Sequence, residues 1–303
     1  MAPSVPTLQQ GAVVVNPGEN YKILIQDNIP VREPQDNEVL VKLTCTGLCH
    51  SEIRAVLGWS AYNSIIGHEG VGTIVKTGPN VSSSLLDQRV GVKWLYSACN
   101  ECSMCARGSP HYCPKQVNTS RHVPGTLQQY VIADSRFLTR IPETLSDSVA
   151  APLLCAGLTM AGALARLEGV LQPGDFVVIS GSGGGLGHIG VQIAARIKKL
   201  RVIAVDSGEE KRRLSLSAGA ETFIDYQSED VASRVQELTG EGAHATIVVP
   251  GTKEAFVAAP NLVRNMGFIV CVGLPPNEMQ LPISATLCAA RGEFDSFWIQ
   301  HSY

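Results

Sequence analysis

Positive charge is not in excess in this chain: 24 Lys and Arg stand against 27 Asp and Glu, leaving a net charge of −3 over 303 residues. Without a broad basic surface, nucleic acid is excluded as an expected partner and a small molecule takes its place. Nowhere do about eighteen apolar residues follow one another, so no membrane span is read from the sequence. The opening MAPSVPTLQQ has no basic start leading into an apolar stretch. No export signal is read there, and the cytoplasm is the expected compartment. Internal repeats and low-complexity tracts are also missing. Charged residues make up only 17% beside 45% hydrophobic ones, the balance of an ordered globular protein. A chain of this length has room for two domains, each with its own core.

Cysteine is present, and unevenly. Cys99, Cys102, Cys105 and Cys113 crowd one lobe with the spacing CxxCxxCx7C. Short CxxC arcs let successive thiolates point at one centre, and four soft sulfurs saturate a tetrahedral zinc ion with no open position. This pattern predicts a structural zinc that folds its loop and does no chemistry. Disulfides and a redox CxxC are the competing readings, and nothing in the sequence indicates the oxidising compartment that disulfides need. Cys45, Cys49, Cys155, Cys271 and Cys288 are scattered.

The character of the chain changes near residue 157. Before it, short alternating runs such as Glu38 to Leu43 and Val71 to Val75, broken by Gly and Pro, read as an irregular β domain. After it the pattern is βαβ. Strands are expected at Phe176 to Ile179, Val202 to Val205, Thr222 to Ile224, Ala245 to Val249 and Phe268 to Val272. Helices are expected at Leu186 to Lys199, Glu209 to Ala218, Val231 to Leu238 and Lys253 to Leu262. The fold class is therefore α/β, with a zinc-bearing β domain over 1–156, a doubly wound parallel sheet over 157–292 and an unmatched tail over 293–303.

The turn after the first of these strands runs from Gly181 through Ser182, Gly183, Gly184, Gly185, Leu186 and Gly187 to Gly190. Glycine suits a loop that turns tightly and lets backbone N–H groups approach a pyrophosphate at a helix N-terminus. Two registers fit. Gly185, Gly187 and Gly190 match GxGxxG, while Gly181, Gly184 and Gly187 match a longer loop that begins nearer the strand; the longer one is preferred. Asp206 closes the next strand, about twenty residues beyond Gly187, where a carboxylate accepts hydrogen bonds from a ribose and repels a 2′-phosphate. NAD is expected over NADP, although Lys211, Arg212 and Arg213 follow closely. Three further segments, Cys49-His50-Ser51, Gly67-His68-Glu69 and Cys155, carry the donors of a second zinc with an open position. Spacing alone does not bring them together.

Gly47-Leu48-Cys49-His50-Ser51, Gly67-His68-Glu69-Gly70, the four-cysteine lobe, Cys155-Ala156-Gly157 and the glycine loop followed by Asp206 occur in that order. With them the chain resembles the zinc-dependent alcohol dehydrogenases of the medium-chain dehydrogenase/reductase superfamily, and in GVKW and GTLQQY their yeast-type branch. The resemblance covers about Gly11 to about Ala290. It implies a GroES-like catalytic domain joined to a Rossmann domain, two zinc ions per chain, and NAD. By resemblance Cys49, His68 and Cys155 hold the catalytic zinc, Glu69 lies beside it or replaces a ligand during exchange, and Cys99, Cys102, Cys105 and Cys113 hold the structural one. Ser51 touches the substrate oxygen and passes its proton, His50 faces the pyrophosphate, and Trp59 and Trp94 narrow the alcohol pocket. Thr159 lies by the nicotinamide, Gly181, Gly184, Gly185, Leu186, Gly187, Asp206 and Lys211 bind NAD, and Val272, Gly273 and Leu274 edge it. The implied reaction interconverts an alcohol with its aldehyde or ketone by hydride transfer, in general metabolism or as a tailoring step of a biosynthetic pathway.

Three departures from the family pattern stand out. Glu52 follows Ser51 where relatives carry Asp, a longer carboxylate able to orient His68. Arg54 stands where relatives place the histidine that ends a proton relay, and a guanidinium cannot accept a proton. From Gly292 onward the pattern is not matched, and relatives continue further. The missing stretch supplies their last strand and part of the subunit contact, which sets the homo-oligomer that the family implies in doubt for this chain; Phe294, Phe297, Trp298 and Ile299 have the character of a substitute strand. The alternative function is accordingly a zinc-binding remnant or partner subunit without turnover. The zinc-free quinone and enoyl reductases of the same superfamily lack this cysteine set and are disfavoured.

Overall fold

Alternating apolar residues and frequent glycine make strands, not helices, of the N-terminal half. The computed structural model describes residues 5–59, 61–275 and 278 in full and 293–296 as backbone. The chain divides between Cys155 and Ala156 into two units.

In the first unit β1 (Leu8–Val15) and β2 (Lys22–Pro30) form an antiparallel hairpin. A five-stranded antiparallel sheet follows from β3 (Glu38–Thr46), β4 (Gly70–Thr77), β5 (Arg89–Val92), β8 (Tyr130–Asp134) and β9 (Thr139–Arg140), in the order β8-β3-β4-β5-β9. Its core is Val39, Val41, Ile74, Val90, Val92, Val131 and Ala133. β3 begins where the alternation predicts and β4 one residue earlier, and both run longer. A short pair, β6 (Leu95–Ser97) and β7 (Val117–Asn118), flanks the four-cysteine lobe, which holds helix α2 (Ser103–Ala106). Helix α1 (His50–Val56) fills the connection from β3 to β4.

The 19-residue helical run Asp147–Ala165 comprises α3 (Asp147–Pro152), a π turn (Leu153–Gly157) and α4 (Leu158–Ala165). With a mean hydropathy of 1.7 it has the length and composition of a membrane span, which the reading of the bare sequence did not mark. Half of it is buried within the fold. Ala150, Ala151 and Leu154 pack in one core, and Met160, Ala163 and Leu164 in another, so its apolar character is that of a core helix.

The second unit is a six-stranded parallel sheet in the order β12-β11-β10-β13-β14-β15, formed by β10 (Phe176–Ser180), β11 (Arg201–Asp206), β12 (Thr222–Asp225), β13 (Ala243–Val248), β14 (Val263–Cys271) and β15 (Glu293–Ser296). Parallel strands covered on both faces are apolar at every position. Val177 and Ile179 pack with α4 and the helix after β10 on one face, while Val178 packs with Ile203, Ile224 and Val235 on the other. Helix α6 (Glu209–Ala218) has the predicted bounds, and α7 (Val231–Thr239) and α8 (Lys253–Ala258) lie within a few residues of theirs. The helix after β10 starts as α5 (Gly185–Gln192) and ends in a π turn (Ile193–Ile197), with Lys198 donating to Ile193 at 3.0 Å.

Two strands depart from expectation. β14 starts at Val263, ahead of the expected Phe268, and its register against β13 shifts where Met266 takes a left-handed φ of 58° beside Gly267, an irregularity that the apolar pattern does not show. β15 pairs parallel with β14, so Phe294 sits in a strand after the last one read from the sequence; Phe297, Trp298 and Ile299 lie outside the described residues.

Met266 is 79% exposed, so its side chain offsets little of the cost of its backbone conformation. Met266→Gly should raise stability by about 0.5–1 kcal/mol, the left-handed cost of about 1–2 kcal/mol less the entropy that glycine loses on folding. Denaturant titration checks it, and a lower midpoint would contradict it.

Candidate metal centres and dinucleotide loop

Cys49, His68, Glu69 and Cys155 are brought together by three separate devices. The first is at the start of α1, where Glu52 Oε2 accepts a hydrogen bond from the Cys49 N–H at 2.7 Å and so fixes the turn leaving β3. The other oxygen of the same carboxylate lies 2.8 Å from His68 Nδ1. Glu52 thus orients the ring, leaving Nε2 as the donor nitrogen. The second is Gly47, where a Cβ would stand 1.9 Å from Glu69 Oε2; its absence is the space the Glu69 carboxylate occupies. The third is the π turn. Pro152 removes a helical N–H, and the wide turn that follows carries Cys155 to 3.3 Å from His68 Nε2 and 3.7 Å from the Cys49 sulfur.

The donor atoms of Cys49, His68, Glu69 and Cys155 all lie within 4.8 Å of one another, as do those of Cys99, Cys102, Cys105 and Cys113. A tetrahedral zinc with sulfur at about 2.3 Å has sulfur–sulfur edges of about 3.8 Å. Cys99 lies 3.4 Å from the Cys113 sulfur and 4.0 Å from that of Cys105, and the Cys49–Cys155 edge is 3.7 Å. Both clusters fit the ion. Their chemistry fits too: the Cys155 hydrogen bond, against burial, holds the Cys49 thiol well below its ordinary value, and the His68 ring lowers it further. That same bond pushes Cys155 up. Burial raises Glu69 to about 7.

The other expected residues of this unit are spread around the centre. Ser51 and Glu69 are buried beside it. The Trp94 ring meets the His68 ring edge-on, 5.3 Å between centroids. Trp59 is half exposed, with the Arg54 guanidinium 5.8 Å from its ring, and His50 is exposed at the first position of α1.

In the second unit, the strand order reverses between β10 and β13, the place where open parallel sheets bind ligands. The glycine loop leaves β10 there. Gly181 has φ +72°, and a Cβ on Gly187 would stand 2.0 Å from the Gly181 carbonyl, whereas one on Gly185 would meet nothing within 4 Å. Gly184 caps α5, whose first residues are Gly185 and Leu186. Asp206, buried at the end of β11, accepts from the Gly183 N–H at 2.9 Å and from Lys211 Nζ at 2.9 Å. Gly183 was not singled out in the sequence. A Cβ there would lie 2.4 Å from Lys211 Cβ, and the only sign of it was a third consecutive glycine. Val272 and Gly273 both donate to the Val248 carbonyl at 2.9 Å, which holds them and Leu274 after β14 at the same end of the sheet. Thr159 is buried in α4.

Residues 35–143 match the family model of the alcohol dehydrogenase GroES-like domain, and residues 185–301 that of the zinc-binding dehydrogenases. Alcohol dehydrogenase 2 of Emericella nidulans is 42% identical over 302 residues, covering 94% of this chain and 81% of the relative. The chain belongs to the zinc-binding alcohol dehydrogenase family. The alcohol dehydrogenase of Schizosaccharomyces pombe is 38% identical, covering 90% of this chain and 78% of its own. Among solved structures, acetophenone reductase from Geotrichum candidum in complex with NAD superposes with a TM-score of 0.83 at 26% identity, covering 95% of this chain and 82% of that one. The alcohol dehydrogenase of the archaeon Aeropyrum pernix gives 0.83 at 26% identity, covering 94% and 84%. The second family match runs past Gly292, where the sequence pattern had been lost.

The contrast within the loop is testable. Gly187→Ala must push backbone against backbone and should cost about 1–3 kcal/mol, while Gly185→Ala should be nearly silent. Thermal unfolding of the two variants reads this directly, and a comparable cost at Gly185, the position that only the shorter GxGxxG register requires, would restore that register.

Proposed function

We propose that the protein is a zinc- and NAD-dependent dehydrogenase that interconverts an alcohol with its aldehyde or ketone, acting in the cytoplasm. The observation that carries this is the set formed by two thiols and one imidazole, with His68 anchored through Nδ1 by Glu52 and its Nε2 turned to the sulfurs. Three protein donors leave a fourth position for substrate, and Glu69 stands next to it as an alternate donor. When bound, zinc supplies Lewis-acid polarisation of the alcohol or carbonyl oxygen, and the nicotinamide supplies a hydride acceptor or donor.

The chain's own residues do the rest. Ser51 both donates and accepts, so it can take the alcohol proton and pass it outward. Trp94, seated against His68, narrows the space for the alcohol, with Trp59 as the second wall. Gly181 to Gly187 present backbone N–H groups and the start of α5 to the pyrophosphate, with His50 as a side-chain partner. Asp206 takes the ribose hydroxyls and Lys211 steadies it, while Thr159 and Val272 to Leu274 flank the nicotinamide. In this reading residues 1–156 are the catalytic domain and 157–292 the dinucleotide-binding domain.

Purified, zinc-quantified protein screened over primary, secondary and aromatic alcohols tests the function. NADH should form with at least one class, and the protein should carry two zinc ions per chain. Cys49→Ala should remove one ion and turnover together, and Cys102→Ala the other ion. No turnover from fully loaded protein, or a single ion that survives Cys49→Ala, would refute the reading. NAD should give the higher kcat/KM against NADP, and Asp206→Ala should narrow the gap; a preference for NADP would mean that Lys211 to Arg213 dominate.

Arg54 adds a pH signature. Guanidinium cannot serve as a base, whereas imidazole titrates near neutrality. Alcohol oxidation by the natural protein should therefore keep rising further into the alkaline range than in Arg54→His. Identical pH profiles would show that the proton does not pass this residue.

A further inference from the structure

The segments that deliver Cys49, His68 and Cys155 are far apart in sequence, and one carboxylate outside the donor set, together with the threonine that bonds it, links all three. Asp147 opens α3, about two turns before Cys155. Its Oδ2 accepts from the Thr44 hydroxyl at 2.6 Å. Thr44 lies near the end of β3, the strand that runs into Cys49, and its single proton is shared with the Val71 carbonyl at 3.0 Å. Val71 lies in β4, directly downstream of His68 and Glu69. The other oxygen, Oδ1, forms an ion pair with Arg89, 2.7 Å from its Nε, and Arg89, in β5, also donates to the Leu145 carbonyl in the turn before the helix. Ala150, Ala151 and Leu154 continue the contact by packing on Val71 and Cys45.

Between this anchor and Cys155 the helix is at its least regular. Pro152 and the π turn interrupt the ladder that would otherwise fix the direction of the Cys155 side chain. A helix that is irregular there needs its start held if its end is to meet donors on other strands. Metal sites tolerate misplacement of only about 0.2 Å. Asp147 and Arg89 are each 28% exposed, so their pair adds little to global stability. What it sets is alignment.

We propose that Asp147 is a positioning residue for the Cys49–His68–Cys155 centre, tying the three ligand-bearing segments into one frame. This rests on the reading of that cluster as a zinc site. Asp147→Ala and Asp147→Asn, with Thr44→Val as a milder break, are compared with the natural protein for zinc release to a chelator, and the four-cysteine ion in the same chain serves as the reference. The ion at Cys49, His68 and Cys155 should leave about tenfold faster, while the reference ion leaves at its usual rate. Asp147→Glu, which keeps the charge, should restore part of the retention. In cobalt-substituted protein the thiolate-to-metal absorption of the three-donor centre should shift and that of the four-cysteine centre should not. Unchanged release of both ions, or equal acceleration of both through loss of the fold, overturns the proposal. Natural protein that holds only the four-cysteine ion would instead sink the zinc reading beneath it.

Discussion

Glu52 engages both carboxylate oxygens, one on the Cys49 amide and one on the His68 ring, and does so while almost wholly buried. A buried carboxylate is costly unless every lone pair finds a partner. The need to satisfy this one binds the start of α1 to the segment ahead of β4, which sets where Cys49 and His68 stand. It also decides which histidine nitrogen remains to act as a donor.

The two units solve the same problem by different means. In the first, ordinary strands cannot by themselves aim side chains at one point, so polar devices do it: Glu52 for the imidazole, the missing Cβ of Gly47 for Glu69, and the π turn for Cys155. In the second, packing does most of the aiming. Val177, Val178 and Ile179 have no exposed surface, so β10 is fixed from both faces, and the loop at its end inherits that rigidity. Asp206 then needs only local partners, Gly183 and Lys211, to hold its place.

Much of this was legible in the sequence because it is written in short-range patterns. The four-cysteine lobe declares itself by spacing, α6 by its helical periodicity between Gly208 and Gly219, and the parallel sheet by its apolar strands. What escaped is made through space. The role of Gly183 depends on how closely Lys211 approaches, and the register of β14 against β13 shifts at Met266, which the apolar pattern does not show. The convergence of Cys155 with His68 depends on a turn that only Pro152 hinted at. Trp59 and Trp94 read alike in the sequence, and the fold seats one against His68 and leaves the other half exposed.

The two metal centres differ in the distance along the chain that must be closed to build them. Cys99 and Cys113 are 14 residues apart, whereas Cys49 and Cys155 are separated by 106 and His68 and Cys155 by 87. Loop-closure entropy grows with that distance, and long-range contacts form late. The four-cysteine lobe can capture its ion soon after Cys113 leaves the ribosome, while the other centre stays incomplete until synthesis has passed Cys155. The chain's own order thus completes the donors of the ion that does no chemistry before those of the other.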